Sequence, residues 1–372
     1  MTFCIITHVP HGYQNGYYFA YSPYVREMNI WSKYVHNIIL VAPLNLENQT
    51  QIVIPYSTQN IDFRKIPSFN FLDIQSSLRA LNKLPLISFE IYKAMKKADH
   101  IHLRCPGNIG LLGCLVQVLF PSKLKTAKYA GNWDPKAKRP FSYKLQKWVL
   151  SNTLLTRNMQ VLVYGEWKNQ SKNVKPFFTA TYKETDKQEI EIKNFKSKIN
   201  FMFVGMLTSG KHPLYAVQII EKLKLKFENI NLSIFGEGIE RENLEKYIKL
   251  KSLENYIVLK GNQNLEILKI AYIQNHFMIL PSESEGWPKA VAEAMFWSCL
   301  PISTPVSCVA NMLDNGNRGI LLENILEKDV LKIENMLINE PDYQQKVTNA
   351  TSWSRKYTLD YFEQEIKLIL QA

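Results

Sequence analysis

The sequence predicts an α/β protein built on two open parallel sheets, and three observations carry that expectation. At 372 residues the chain exceeds what one hydrophobic core usually spans. Short β-branched runs alternate with helical patterns twice along the chain, which implies parallel strands joined by right-handed crossovers. Between the two series lies TYKETDKQEIEIKNFKSKI, residues 181–199, polar and charged enough to read as a linker. The expected domains are therefore 1–180 and 200–356, with a last helix at about 357–372 packing back on the first.

The elements follow from local patterns. Phe3–Val9 reads as a strand, followed by a loop with Gly12 and Gly16 and a helix over about Tyr18–Tyr34. Asn37–Ala42, His100–Leu103, Thr126–Tyr129 and Gln160–Val163 are further strands, with helices at Asn108–Phe120 and Tyr143–Leu155. After the linker, Asn200–Val204, Asn231–Phe235, Tyr256–Leu259, Phe277–Leu280 and Leu300–Ser303 form the second series. Ligands of such sheets bind outside the carboxyl ends of the strands, so two facing sheets would place a site in the cleft between them.

Composition excludes some classes. Apolar residues make up 46% and charged residues 21%, which argues against disorder. The net charge of +12 is unevenly placed: residues 1–180 hold 22 basic and 8 acidic side chains, and the remainder holds 23 and 25. A polyanion or an anionic membrane surface could therefore meet the first half. Eight of its cations fall between Pro121 and Leu150, beside Leu145, Trp148 and Val149. That stretch reads either as a core helix with a basic edge or as a membrane-facing surface. No nucleic-acid recognition motif accompanies it. Five scattered cysteines suggest reduced core thiols, and the seven histidines show no metal-ligand spacing. MTFCIITHV has no basic leader, and the longest apolar stretch is too short to cross a bilayer. A soluble or peripheral cytoplasmic protein is expected.

The segment Pro281–Trp297, PSESEGWPKAVAEAMFW, carries the chemistry. Pro288 suits the first turn of a helix, and small residues at Ala290, Ala292 and Ala294 allow close backbone approach. The free N–H groups near Trp287–Ala290 would point at the end of the preceding strand and suit a phosphate or sugar hydroxyl. Glu285 lies in the loop and Glu293 eight residues on, within the helix. Carboxylates there make sense as acceptors for sugar and ribose hydroxyls.

EGWPKAVAEAM resembles the Glu-x7-Glu signature of the family 4, GT-B fold, retaining glycosyltransferases. FVGMLTSGK resembles that family's phosphate-binding strand and loop, SIFGEGIERENLEKYI its glycine-turn-helix unit, and VLKGNQNLEILKIAY its base-binding turn. CLPISTPVSCVANMLDNGNRGILL and SWSRKYTLDYFEQEI are similar to its closing strand and C-terminal helix. The likeness covers about Asn200–Leu370, and the first half only by topology.

The resemblance implies a GT-B architecture of two Rossmann-like domains. It also implies transfer of a sugar, of hexosyl type, from a UDP- or GDP-linked donor to a glycan or lipid-linked acceptor. Retention at the anomeric carbon and independence of metal are implied with it. The absence of an Asp-x-Asp agrees with the last. By motif position Lys211 would contact the diphosphate. Glu285, Gly286, Trp287, Pro288 and Lys289 would hold the sugar, and Glu293 the ribose. Gly205 and Gly236 belong to the phosphate turns, Gly261 to the base pocket, and Gly12 and Gly16 to a loop closing over the diphosphate. Lys211 and Glu285 are the candidate catalytic groups.

Two departures stand out: Met206 follows Gly205 where many relatives carry Arg, and KYAGNWDPKAKRP lacks the usual acceptor-side histidine. Arg104, Asn132 and Asp134 are the acceptor-side candidates instead. Arg104 could equally form a surface salt bridge, and Asp134 an Asx turn before Pro135. A nucleotide-sugar epimerase and a non-catalytic nucleotide-sugar-binding subunit are the rival readings.

Overall fold

The computed structural model describes residues 1–45, 53–68 and 74–371. Its contacts divide into a first unit, Met1–Phe177 joined by the tail from Glu363, and a second unit, Phe178–Phe362.

The first unit runs β1 (Thr2–Ile6), β2 (His11–Gln14), β3 (Tyr17–Tyr21), α1 (Ser22–Ser32), β4 (Asn37–Pro43), β5 (Val53–Pro55) and β6 (Ile61–Ile66). It continues with α2 (Ile74–Lys97), β7 (His100–Cys105), α3 (Asn108–Val116), β8 (Leu124–Tyr129), α4 (Phe141–Ser151), β9 (Met159–Tyr164) and β10 (Val174–Phe177). Seven of these strands form one parallel sheet in the order β10-β9-β8-β7-β1-β4-β6. Strands buried on both faces need continuous apolar runs, and FCII, IILVA and VLVY supply them. Cys4, Val41, Leu103, Ala127 and Val161 meet helix residues such as Ile91, Met95 and Leu150 in one core cluster.

The expected loop around Gly12 and Gly16 is instead a β-hairpin. Asn15 and Gly16 both take positive φ, 51° and 84°, the geometry of a two-residue turn whose twist matches the flanking strands. Gly12 pairs with Phe19 across this hairpin, and β5 adds a third antiparallel strand. The first helix consequently begins at Ser22 rather than near Tyr18. Three other elements lie outside the sequence expectation: β6, α2 and β10. The expected helix through Leu155 ends at Ser151, where Asn152 turns extended and its side chain accepts from Leu154 and Leu155 N–H.

The second unit contains β11 (Ile199–Val204), α5 (Pro213–Leu223), β12 (Ile230–Phe235), α6 (Arg241–Leu250), β13 (Ile257–Gly261), α7 (Leu265–Gln274), β14 (Phe277–Leu280) and α8 (Lys289–Phe296). After these come β15 (Leu300–Ser303), α9 (Val309–Met312), β16 (Ile320–Leu321), α10 (Leu326–Leu337) and α11 (Glu340–Ser354), while α12 (Leu359–Gln371) starts in this unit and from Glu363 belongs to the first. Ala372, in the expected last helix, lies outside the described residues. Asn264 and Asn339 cap α7 and α11 by accepting the N–H of Ile267 and Asp342. The parallel sheet runs β13-β12-β11-β14-β15-β16, so chain progression reverses between β11 and β14. In the first unit the same reversal falls between β1 and β7. Such a switch point leaves a crevice at the carboxyl ends of the two strands.

Candidate active site

The loops leaving β11 and β14 bring the predicted donor residues together at the second unit's switch point. Lys211 ends the first loop, and its Nζ lies 2.5 Å from Oε1 of Glu285 in the second. The pair is only partly exposed, 24% for the lysine side chain and 9% for the glutamate, so water screens it less than a surface pair. A backbone bond from Glu283 N to Gly210 O at 2.9 Å ties the two loops. His212, held at φ 49°, adds a contact to Glu283 at 2.9 Å.

Neighbouring side chains fix the Glu285 loop from below. Ser303 donates to the carbonyl of Leu280 and Thr304 to that of Ser282, while Ser307 and Cys308 donate to Gly286. Each bond occupies a carbonyl that would otherwise be free to turn, so Glu285 is presented by a rigid turn. Pro288 stands at the N-cap of α8, one residue outside the helix, so the expected position at its first turn shifts by one. Trp287 packs on Trp353 and Tyr357, with ring centroids 6.2 and 5.7 Å away. Lys289 lines a small pocket with Trp287 and Glu293.

Gly205, Gly236 and Gly261 also gather, at the carboxyl ends of β11, β12 and β13. Gly205 N donates to Phe235 O, and Gly236 N to Gly261 O. A Cβ on Gly236 would lie 1.9 Å from the Gly205 carbonyl oxygen, a clash with backbone that only glycine avoids. Met206, beside this turn, is 63% exposed.

Glu293 is placed differently. It is 8% exposed, and its carboxylate accepts from Thr181 Oγ1 at 2.7 Å and Tyr272 OH at 3.1 Å. Among the described residues no ion pair joins it to Lys211. Thr181, Tyr272 and Glu283 escaped the sequence reading, because each meets its partner across tens of residues with no motif to mark it.

In the first unit, Arg104 is neither a surface salt bridge nor an open anion contact. Its guanidinium donates to both oxygens of Glu27 at 3.1 Å, and Lys128 approaches the same carboxylate at 3.5 Å. All three are buried or nearly so. Asn132 accepts from Asp134 N, and Asp134 from Lys136 N, so both build the turn around Pro135. At the switch point of this sheet, burial and then Arg104 hold the His8 ring below its usual pKa. A Cβ on Gly107 would meet that ring at 2.7 Å. Gly12 and Gly16 sit in the hairpin described above. Among the described residues no cluster of three metal-ligating side chains occurs, and no helix is long and apolar enough to cross a membrane.

Comparison with known proteins agrees with this architecture. The crystal structure of Anabaena HepE in complex with UDP superposes with a TM-score of 0.69 at 11% identity, covering 100% of this chain and 99% of that one. The likeness is one of fold, and the chain has the α/β GT-B fold. An uncharacterized glycosyltransferase of Haemophilus influenzae is 30% identical over 171 residues, 45% of this chain and 47% of that protein. The capsular polysaccharide biosynthesis glycosyltransferase CapH of Staphylococcus aureus is 32% identical over 117 residues, 31% of this chain and 33% of CapH. The match thus spans about half of the first relative and a third of the second. Residues 184–353, most of the second unit, match the family model for glycosyl transferases group 1.

Proposed function

We propose that the protein is a glycosyltransferase that moves a sugar, of hexosyl type, from a UDP- or GDP-linked donor to a glycan or lipid-linked saccharide. The observation that carries this reading is the Lys211–Glu285 pair at a switch point of a glycosyl transferases group 1 segment. A pair of this kind is poised for exchange. An incoming diphosphate draws the ammonium from the carboxylate, and Glu285, freed of its cation, accepts hydrogen bonds from the hydroxyls of the donor sugar. The adjoining Gly205 and Gly236 turns let backbone approach the phosphates, and the first N–H groups of α8 would add further donors.

The transfer itself needs few groups. The acceptor hydroxyl oxygen forms a bond to the anomeric carbon as the bond to the diphosphate oxygen breaks. The departing phosphate oxygen takes the hydroxyl proton on the same face, so configuration is retained. Lys211 and backbone donors stabilise the charge that builds on the leaving group. In this reading no metal or other cofactor takes part. Glu293 binds the ribose only if the Thr181 hydroxyl gives way to a ribose hydroxyl. Otherwise it locks α8 to the segment entering the unit. CapH acts in capsular polysaccharide biosynthesis, and a polysaccharide or glycolipid product, made on the cytoplasmic face of the membrane, is the reading favoured here.

Thermal unfolding with UDP, GDP and ADP and their sugar conjugates tests the donor assignment. One nucleotide series should raise the melting temperature, because a ligand that binds only the folded state stabilises it. No shift with any of them would sink the proposal. Product analysis with the stabilising donor then separates transfer from release of an epimerised nucleotide-sugar.

A further inference from the structure

The first sheet has a second opening, at the edge opposite its carboxyl ends. Here the amino ends of β7, β8 and β9 border a cavity of about 680 Å³, within the range of small-molecule sites. Lys125, Arg157 and Lys172 line it, and among the described residues no carboxylate side chain does. Lys125 is 2% exposed, yet among the described residues its ammonium donates to one acceptor, Phe120 O at 2.7 Å. Two of its three N–H bonds are therefore unused. Burial lowers its pKa to about 8, a measure of how poorly its charge is met.

His100 lines the same cavity and is also 2% exposed. Its Nε2 lies 3.0 Å from Thr126 Oγ1, whereas its Nδ1 has no partner. Thr126 Oγ1 meets a second ring at His102 Nδ1, 2.8 Å away. One hydroxyl proton serves only one of the two rings, so the other ring must donate to the oxygen. Buried donors left without partners are costly, and the unused N–H bonds of Lys125 at the wall of an open cavity mark a place where a ligand completes the bonding.

We propose that this cavity is a second binding site that takes a phosphorylated sugar. The phosphate meets Lys125, Arg157 and Lys172, and the sugar hydroxyls meet the side chain of Gln160. The cavity is far larger than a phosphate ion, and uncharged hydrogen-bonding groups share its wall with the cations, which selects a hydroxylated anion over a bare one. Arg157 and Lys172 are exposed at its mouth, so they recruit the anion, and Lys125 anchors it within. The site lies within the first unit and does not depend on the donor assignment.

Calorimetric titration of the intact protein at constant ionic strength tests it. The probes are inorganic phosphate, the phosphates of glucose, galactose and glucosamine, the same sugars unphosphorylated, and vesicles with and without phosphatidic acid. At least one sugar phosphate should saturate the protein at least tenfold more tightly than inorganic phosphate or any neutral sugar. The double variant Arg157→Ala, Lys172→Ala should weaken that binding at least tenfold and leave the UDP response unchanged. Lys125→Gln should abolish it. The proposal fails if no sugar phosphate outcompetes inorganic phosphate or if the double variant binds as the parent does. It fails equally if phosphatidic acid vesicles alone respond, since the source is then a lipid headgroup.

Discussion

The two units handle charge in opposite ways. The first carries the whole net positive excess of the chain, yet it turns much of that charge inward. Arg104 and Lys128 share Glu27, and Lys123 donates to the carbonyls of Lys96 and Ala98 at the end of α2. Lys147 donates to the Trp133 carbonyl, and Arg139 to that of Asp134. The second unit is nearly neutral, yet it holds its Lys211–Glu285 pair at the mouth of a switch point. A surplus of basic residues is therefore a poor guide to where an anion binds. What matters is whether a cation at a strand end keeps donors that an anion can take, either unused or held by a partner it can exchange.

The largest expected effect lies in the buried cluster of the first unit. Glu27 is 6% exposed and faces two cations, so Glu27→Ala removes the carboxylate that both buried groups share. Removing one partner of a buried ion pair costs about 3–5 kcal/mol. Lys128 also has the Phe177 and Tyr164 rings 4.5 and 5.2 Å from its Nζ, which offset part of the loss. Urea unfolding of Glu27→Ala should show a loss of this size. A loss below about 1 kcal/mol would mean that water reaches both cations, and the contrast between the units would lose its physical basis.

Next in size is the exchangeable pair. In the proposed transfer Lys211 meets the leaving group, and loss of one such stabilising group typically slows a reaction about 100- to 1,000-fold. Transfer by Lys211→Ala should fall by that factor with little change in melting temperature, because the pair sits at a mouth rather than in a core. Glu285→Ala should act comparably. Full activity in both would move the chemistry elsewhere.

Acid should separate the units further. Burial lowers the pKa of His11 and His100 to about 4 and of His102 to about 3, all from 6.5. As pH falls through 6.5 the unfolded chain takes up these protons, but the folded unit stays neutral until about pH 4. The unfolded state is then favoured, and stability drops across that window. His276 is the second unit's counterpart, lowered by burial while its Nε2 donates to Asn194 O. Hydrogen exchange followed by peptide should show the first unit losing protection earlier on acidification. Earlier loss in the second unit would contradict the account.

Legibility in the sequence also divided by unit, for physical reasons. Phe277–Leu280 and Leu300–Ser303 coincide with their strands, because a run buried on both faces is apolar from end to end. IDFRKI, the edge strand β6, is half polar and carries no such mark. In α2, Pro85 interrupts the helical pattern. The Asn15–Gly16 turn was readable, since Asn-Gly between aromatic runs is a strong hairpin signal. Lys211 and Glu285 were each marked by a motif, but that they pair came only with the sheet topology that makes their two loops neighbours. Arg104–Glu27 and Glu293–Thr181 join residues 77 and 112 positions apart, and nothing local to either partner announces the other.

The smallest expected effect concerns what remains of the basic surface once the inward cations are set aside. Between Pro121 and Leu150 the exposed cations are Lys136, Lys138 and Lys144. Beside them on α4 stand Phe141 and Trp148, 80% and 59% exposed. A lysine near an anionic bilayer contributes about 1 kcal/mol, and an exposed aromatic side chain adds its own apolar area. Weak, salt-sensitive binding to anionic vesicles is expected, strongest at low ionic strength and absent for neutral ones. Phe141→Ser with Trp148→Ser should reduce it several-fold and leave the unfolding midpoint in place, since both side chains already face water. Unchanged binding in that variant would assign the attraction to charge alone. No binding at low salt would leave the three lysines as a solvated edge, with no part in holding a bilayer.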